Sequence, residues 1–344
     1  MKYGEKLFMD KINLFFAVDD NYCPFLSTTL HSIFKNANRN YDYDVYVLNT
    51  GLKEESKQKV NQQISDQSKV MNIKINFVDV TERLKEISNK LFTRDYFSQT
   101  TYFRLFIPNM FPELNKALYL DSDIIVNGDI AELYRTDLTG NLVGAIPDMV
   151  IQNIPILIDY VEKGLGIKAE KYYNAGILLM NLEEMRKSDF ENEFIELLGK
   201  YKFRVAQDQD YLNTITKDRV AYVDYSWNVQ PIPNNVCPTE VKNLIHYNML
   251  RKPWIFEETL YADYFWDNAK ECIMFDEILK MKNSFTDEKK ATMIEGNNKL
   301  MALAAEEAES PNNYNNTFNK CVILNFTGGN NFDISRKVGN IRKN

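Results

Sequence analysis

The chain is short of the residues that staple, anchor or electrify a protein. Its four cysteines, Cys23, Cys237, Cys272 and Cys321, lie far apart in 344 residues and form no CxxC pair. That excludes a cysteine-built zinc site or a redox dithiol and points to a reducing compartment. Long apolar runs are missing as well; none approaches the ~18 residues of a membrane span. The first apolar stretch, residues 12–18, contains Asn13 and runs straight into Asp19-Asp20, as a strand does and a secretory leader does not. The expectation is a soluble, cytoplasmic protein with no transmembrane segment, peripheral at most to the inner face of the cell membrane. A surplus of basic charge is missing too, since 41 Lys and Arg face 48 Asp and Glu. At a net charge of −7 the chain offers no basic face for many phosphates, which argues against nucleic acid as a partner. The tail balances its Lys and Arg with nearly as many Asp and Glu, so it carries no polybasic membrane patch. No GxGxxG follows the first strand, so any diphosphate must be held by metal and side chains.

What the chain does have is a core and a repeating order of elements. Hydrophobic residues make up 44% and aromatics 13%, enough for one large α/β domain with extensions. Residues 12–18, 43–48, 73–80, 117–120, 124–126, 142–146, 172–182, 220–223 and 244–247 read as strands. Helical spacing marks residues 25–34, 53–65, 190–198 and 207–215. Alternation of this kind predicts a largely parallel sheet. Beyond about residue 275 the texture turns polar. Residues 300–308 form a plausible helix there, 311–316 a turn-rich break and 321–326 a last short apolar run. The tail reads as an appendage.

The most informative segment is YLDSDIIV, residues 119–126. Asp121 and Asp123 stand two apart on extended backbone at a strand end, so their carboxylates point the same way. Like charges that close call for a cation between them, and a metal held by so few carboxylates leaves room for substrate phosphates. A solvated acidic turn is the competing reading, because such triplets are common. His246, in HYNMLRKPW, would complete an O,O,N set that suits manganese better than calcium; magnesium is the alternative. Lys252, six residues on, could reach the same diphosphate. Asp19 and Asn21 end the first strand, where they could read a base edge or ribose hydroxyls or cap the next helix. Asp148 ends another strand. Asp208 and Gln209 open a helix, and Arg104, inside the apolar TTYFRLFIP, needs a carboxylate partner.

Six motifs in series, FFAVDDNY, TTYFRLFIP, ALYLDSDIIV, YYNAGILLMNL, AQDQDYLN and HYNMLRKPW, resemble glycosyltransferase family 8, the family of bacterial lipopolysaccharide galactosyl- and glucosyltransferases and the glycogenins. The resemblance runs from about residue 12 to 254. It implies a GT-A type, Rossmann-like nucleotide-sugar-binding domain over residues 1–275 with a mixed, largely parallel sheet, followed by a mostly helical extension over 276–344. It implies retaining transfer of galactose or glucose from a UDP-hexose to a hydroxyl of a glycan, glycolipid or glycoprotein acceptor, in lipopolysaccharide or cell-surface glycan synthesis. Asp121, Asp123 and His246 would hold manganese, and Asp19 and Asn21 the uridine. Arg104, Asp148, Asn174, Asp208 and Gln209 would surround the sugar, and Lys252 would hold the diphosphate. Gln209, an amide, suits front-face attack; Asp208 remains a candidate nucleophile. The family's last motif usually reads HxxGxxKPW, and here Met249 replaces the glycine. That substitution is the one feature favouring a catalytically impaired sugar-nucleotide- or carbohydrate-binding protein on the same fold. An aspartate phosphatase, which needs DxDxT, is disfavoured by Ile125.

Overall fold

The computed structural model describes residues 10–85, 99–232 and 237–319. The predicted apolar run at 321–326 lies outside them. Nine strands are found among the described residues: β1 (Lys11–Ala17), β2 (Asp42–Asn49), β3 (Ile73–Asp79), β4 (Lys116–Leu120), β5 (Ile124–Val126), β6 (Val143–Pro147), β7 (Tyr173–Asn181), β8 (Val220–Tyr222) and β9 (Leu244–His246). Seven form one sheet in the order β3-β2-β1-β4-β7-β6-β8. Only β7 runs against its neighbours; the other pairings are parallel.

Core lies on both faces of this sheet. Ile12, Leu14 and Phe16 of β1 enter one cluster while Phe15 enters the other, and β4 divides in the same way, Leu118 and Leu120 against Ala117 and Tyr119. A strand buried on both sides needs apolar residues at nearly every position, which is why these segments read as apolar runs, interrupted within β1 by the buried Asn13. Each such side chain contributes about 1.5–3 kcal/mol by its burial.

The helix Cys23–Asn36 follows β1, with Pro24 in its first turn and no side-chain cap on it. Its buried polar residues fasten the next feature. Thr29 Oγ1 lies 2.8 and 2.9 Å from the carbonyl oxygens of Ser122 and Ile124, and Ser32 Oγ accepts from the Val126 amide at 3.0 Å. The turn between β4 and β5 is thereby held against a helix. β5 pairs antiparallel with β9 in a small second sheet that sets Ile124 opposite His246. This register carries a histidine more than a hundred residues downstream to the side of Asp123.

The stretch containing Arg104, helix-like in sequence, is a 3-10 helix, Gln99–Phe106, followed by the short α-helix Ile107–Met110. The C-terminal helix is much longer than its apolar part, spanning Asp287–Glu309. Leu300 and Ala304 join the main core. Outside, Arg204 pairs with Glu306 and Glu307, and Lys163 with Glu309. The extension therefore shares the domain's core. No helix among the described residues is long and apolar enough to cross a membrane.

Candidate active site

One cleft opens at the C-terminal ends of β1 and β4, where open α/β sheets place ligands. Ten of the eleven predicted site residues line it: Asp19, Arg104, Asp121, Asp123, Asp148, Asn174, Asp208, Gln209, His246 and Lys252. Asn21 does not. It is exposed and borders a separate depression with Asp20, Lys53 and Ser56. The chain turns sharply after β1, the Tyr22 amide donating to the Asp19 carbonyl at 3.1 Å. Tyr22 thus faces the cleft and Asn21 faces away.

At one end stand Asp121, Asp123 and His246. His246 Nε2 lies 3.3 Å from Asp123 Oδ1 and 3.7 Å from Asp121 Oδ2, and ligand atoms of all three fall within 4.8 Å of one another. The donor set fits a divalent cation of the manganese or magnesium kind. A second observation agrees. A Cβ on Gly176 of β7 would sit 2.6 Å from Asp121 Oδ2 and closer still to the His246 ring, so only glycine leaves these groups in place. A glycine inside an otherwise apolar strand is the sequence sign of such a close approach. Lys252, buried, donates to Asp123 Oδ2 and, at 2.8 Å, to the Tyr247 carbonyl. Burial pushes the Asp123 carboxyl upward, but the Lys252 ammonium and the His246 ring outweigh it and hold Asp123 below the usual carboxylate range.

The middle of the cleft is a hydrogen-bonded frame. Asp148 caps the short helix Met149–Asn153 and takes bonds on Oδ2 from Asn174 (3.0 Å) and Gln209 (3.1 Å), and on Oδ1 from Gln230 (3.2 Å). Gln209 Oε1 accepts from the Ala175 amide at 2.9 Å, so both ends of its amide are fixed. Arg104 finds the partners its burial demands. Nη2 is 3.1 Å from Asp121 Oδ1, Nε is 3.2 Å from Asp208 Oδ2, and the guanidinium lies over the Tyr119 ring. Burial lifts the Asp208 carboxyl to about 6, with Arg104 opposing and Asp121 adding to the rise. Asp210 points elsewhere. It is buried under the hydroxyls of Tyr160 and Tyr172, each at 2.7 Å, and burial lifts it too to about 6.

The lining is in part apolar, with Ile151, Leu157, Val205 and, from the C-terminal helix, Leu300. Met249 lines the cleft in left-handed backbone, φ 58°. The turn for which glycine is the default is thus made by methionine, at a strain of about 1–2 kcal/mol.

The family model described as Glycosyl transferase family 8 matches residues 13–258. This chain belongs to glycosyltransferase family 8. A putative glycosyltransferase of Haemophilus influenzae is 29% identical over 76% of this chain and 74% of its own length. The lipopolysaccharide 1,2-glucosyltransferase of Escherichia coli is 25% identical over 71% and 72%. Among solved structures, an active-site mutant of LgtC superposes with a TM-score of 0.66 at 26% identity, over 79% of this chain and all of that one. The bifunctional glycosyltransferase WbbM reaches 0.69 at 27% identity over 81% of this chain, which spans only 53% of WbbM. The glycosyltransferase thus has the GT-A fold expected of it, with a mixed and mostly parallel sheet. The family match ends before the C-terminal helix begins.

Proposed function

We propose that this glycosyltransferase moves a hexose, galactose or glucose, from a UDP-sugar to a hydroxyl of a glycan or glycoconjugate, with retention of configuration and with a divalent cation, manganese or magnesium. The supporting observation is the convergence of Asp121, Asp123, His246 and Lys252 around the space that Gly176 leaves open. A bound cation supplies Lewis-acid charge to the leaving diphosphate. Lys252, released from Asp123, adds a second positive charge to the same phosphates. Asp19 and Tyr22, at the β1 end of the cleft, are assigned to the nucleotide. The Asp148–Asn174–Gln209 frame is assigned to the sugar. A locked, neutral Gln209 amide orients the sugar and is a weak nucleophile, which favours attack from the leaving-group face. Asp208 is engaged with Arg104, which suits a supporting charge better than a nucleophile. Met249 supports a working enzyme, because the turn survives its replacement of glycine.

The test is UDP-sugar turnover with manganese, chelator and a panel of donors. Chelator should abolish turnover and manganese restore it. Gln209→Ala should slow transfer without stopping it, with no sugar adduct by mass spectrometry. Full activity in excess chelator would defeat the metal assignment; an inverted product anomer by NMR would defeat the stereochemical one. A trapped adduct lost in Asp208→Ala would move the nucleophile to Asp208.

A further inference from the structure

We propose that Asn228 is a positioning residue for His246: its side-chain oxygen accepts the proton on Nδ1 and so presents the Nε2 lone pair to the space between Asp121 and Asp123. This rests on the metal reading above and adds to it the group that sets the histidine. Neither sequence spacing nor any motif marked Asn228.

The two side chains are buried, at 0% exposure for Asn228 and 2% for His246. Asn228 Oδ1 lies 3.1 Å from His246 Nδ1, while Nε2 faces the two carboxylates. A neutral imidazole has one N–H and one lone pair, on opposite nitrogens. With the proton on Nδ1, bonded to an acceptor, Nε2 is free to ligate. The opposite tautomer would aim an N–H at the cation's position. Backbone bonds keep the pair in register. The Val229 amide donates to the Leu244 carbonyl and the His246 amide to the Val229 carbonyl, both at 2.9 Å. The Asn228 amide donates to the Tyr225 carbonyl at 3.0 Å, ending a 3-10 turn that Asp224 caps.

Stability does not account for an amide at this place. Among the described residues, Asn228 Nδ2 has no hydrogen-bond partner, and a buried donor left unsatisfied is a liability. Among the described residues, the one hydrogen bond its side chain makes is the bond to the histidine. Groups that orient a metal-binding imidazole in this way typically alter metal affinity ten- to hundredfold when removed.

The experiment measures Mn2+ binding to the full chain, by loss of the free-ion EPR signal, for wild type, Asn228→Leu and Asn228→Asp. Asn228→Leu keeps the approximate shape and removes the acceptor. It should lose ten- to hundredfold in affinity, while Asn228→Asp, which still accepts, should stay within about threefold. The tautomer is read directly from long-range 1H–15N spectra of histidine-labelled protein loaded with diamagnetic Cd2+, where only two histidines contribute. Nδ1 should carry the proton in wild type. An Nε2–H in that spectrum, or Asn228→Leu binding Mn2+ as tightly as wild type, would overturn the proposal and leave the metal site standing. A wild type that takes up no divalent ion would overturn the site itself and Asn228's role with it. If Asn228→Leu does not fold, Asn228→Asp and the wild-type spectrum carry the test.

Discussion

Replacing Gly176 by alanine adds one methyl group and should abolish divalent-cation binding at the proposed Asp121–Asp123–His246 site. Gly176 lies in β7 without a positive φ, so alanine meets no backbone strain and only space is at issue. Its Cβ would stand 2.6 Å from Asp121 Oδ2, whereas ordinary contact begins at 3.4 Å. Something must therefore yield by 0.8 Å. The backbone is poorly placed to do so. The Gly176 amide donates to Asn174 Oδ1 at 3.0 Å, and its carbonyl accepts from the Asp121 amide at 2.7 Å. The side chains of Asp121 and His246 must move instead, by several times the ~0.2 Å within which metal–ligand distances hold. Losing two of three protein ligands from good geometry should weaken Mn2+ binding by at least a hundredfold, about 2.7 kcal/mol. Overpacking should lower stability by about 1–2 kcal/mol. Mn2+ titration followed by EPR gives the affinity and urea unfolding the stability. Gly199→Ala is the control: its Cβ meets nothing within 4 Å on the helix Phe190–Lys200, so it should stabilise by about 1 kcal/mol and leave Mn2+ binding alone. If Gly176→Ala binds Mn2+ within threefold of wild type, the three side chains do not form the site described.

Asp210 predicts a pH dependence. Its carboxyl is raised by burial to about 6, so the folded state holds a proton that the unfolded state has released. This protonation favours folding fully below pH ~4 and is lost as pH rises through 6. Relative to Asp210→Asn, wild type should gain about 1 kcal/mol between pH 7 and pH 5; an unchanged difference in urea unfolding at the two pH values would contradict the burial argument. Met249→Gly should be nearly neutral for stability, because relief of about 1–2 kcal/mol of left-handed strain is offset by lost packing and a more flexible unfolded chain. It should raise donor hydrolysis relative to transfer, and a tenfold gain in both UDP affinity and transfer rate would instead mark the natural site as impaired.

The strands were legible for a physical reason: with core on both faces, residues such as Leu14, Phe15 and Phe16 leave no polar interruption. The metal-site candidates were legible because Asp121 and Asp123 share one turn. That His246 joins them depends on the β5–β9 register, which spacing alone could not supply. Asn21 lies outside the cleft although it is near Asp19 in sequence, because the turn after β1 separates them. The alternation in Gln207–Asp210 hid a similar split, since Asp208 and Gln209 face the cleft and Asp210 faces Tyr160 and Tyr172. In the C-terminal helix only Leu300, Ala304 and Ala308 are buried. A seam so narrow gives residues 287–299 no apolar spacing by which to read a helix. Gly176 carried a readable signal, a glycine amid apolar strand residues; Asn228 carried none.

The wall that Leu300 provides also has a date of arrival. Every other described residue lining the cleft is numbered 252 or lower, and a ribosome adding about 5–20 residues per second needs a few seconds to pass from Lys252 to Leu300. Through that interval a nascent chain can own its sheet, its paired carboxylates and its histidine while Ile151, Leu157 and Val205 still lack their cover. This apolar stretch of the cleft is thus exposed during synthesis until the helix Asp287–Glu309 emerges to cover it.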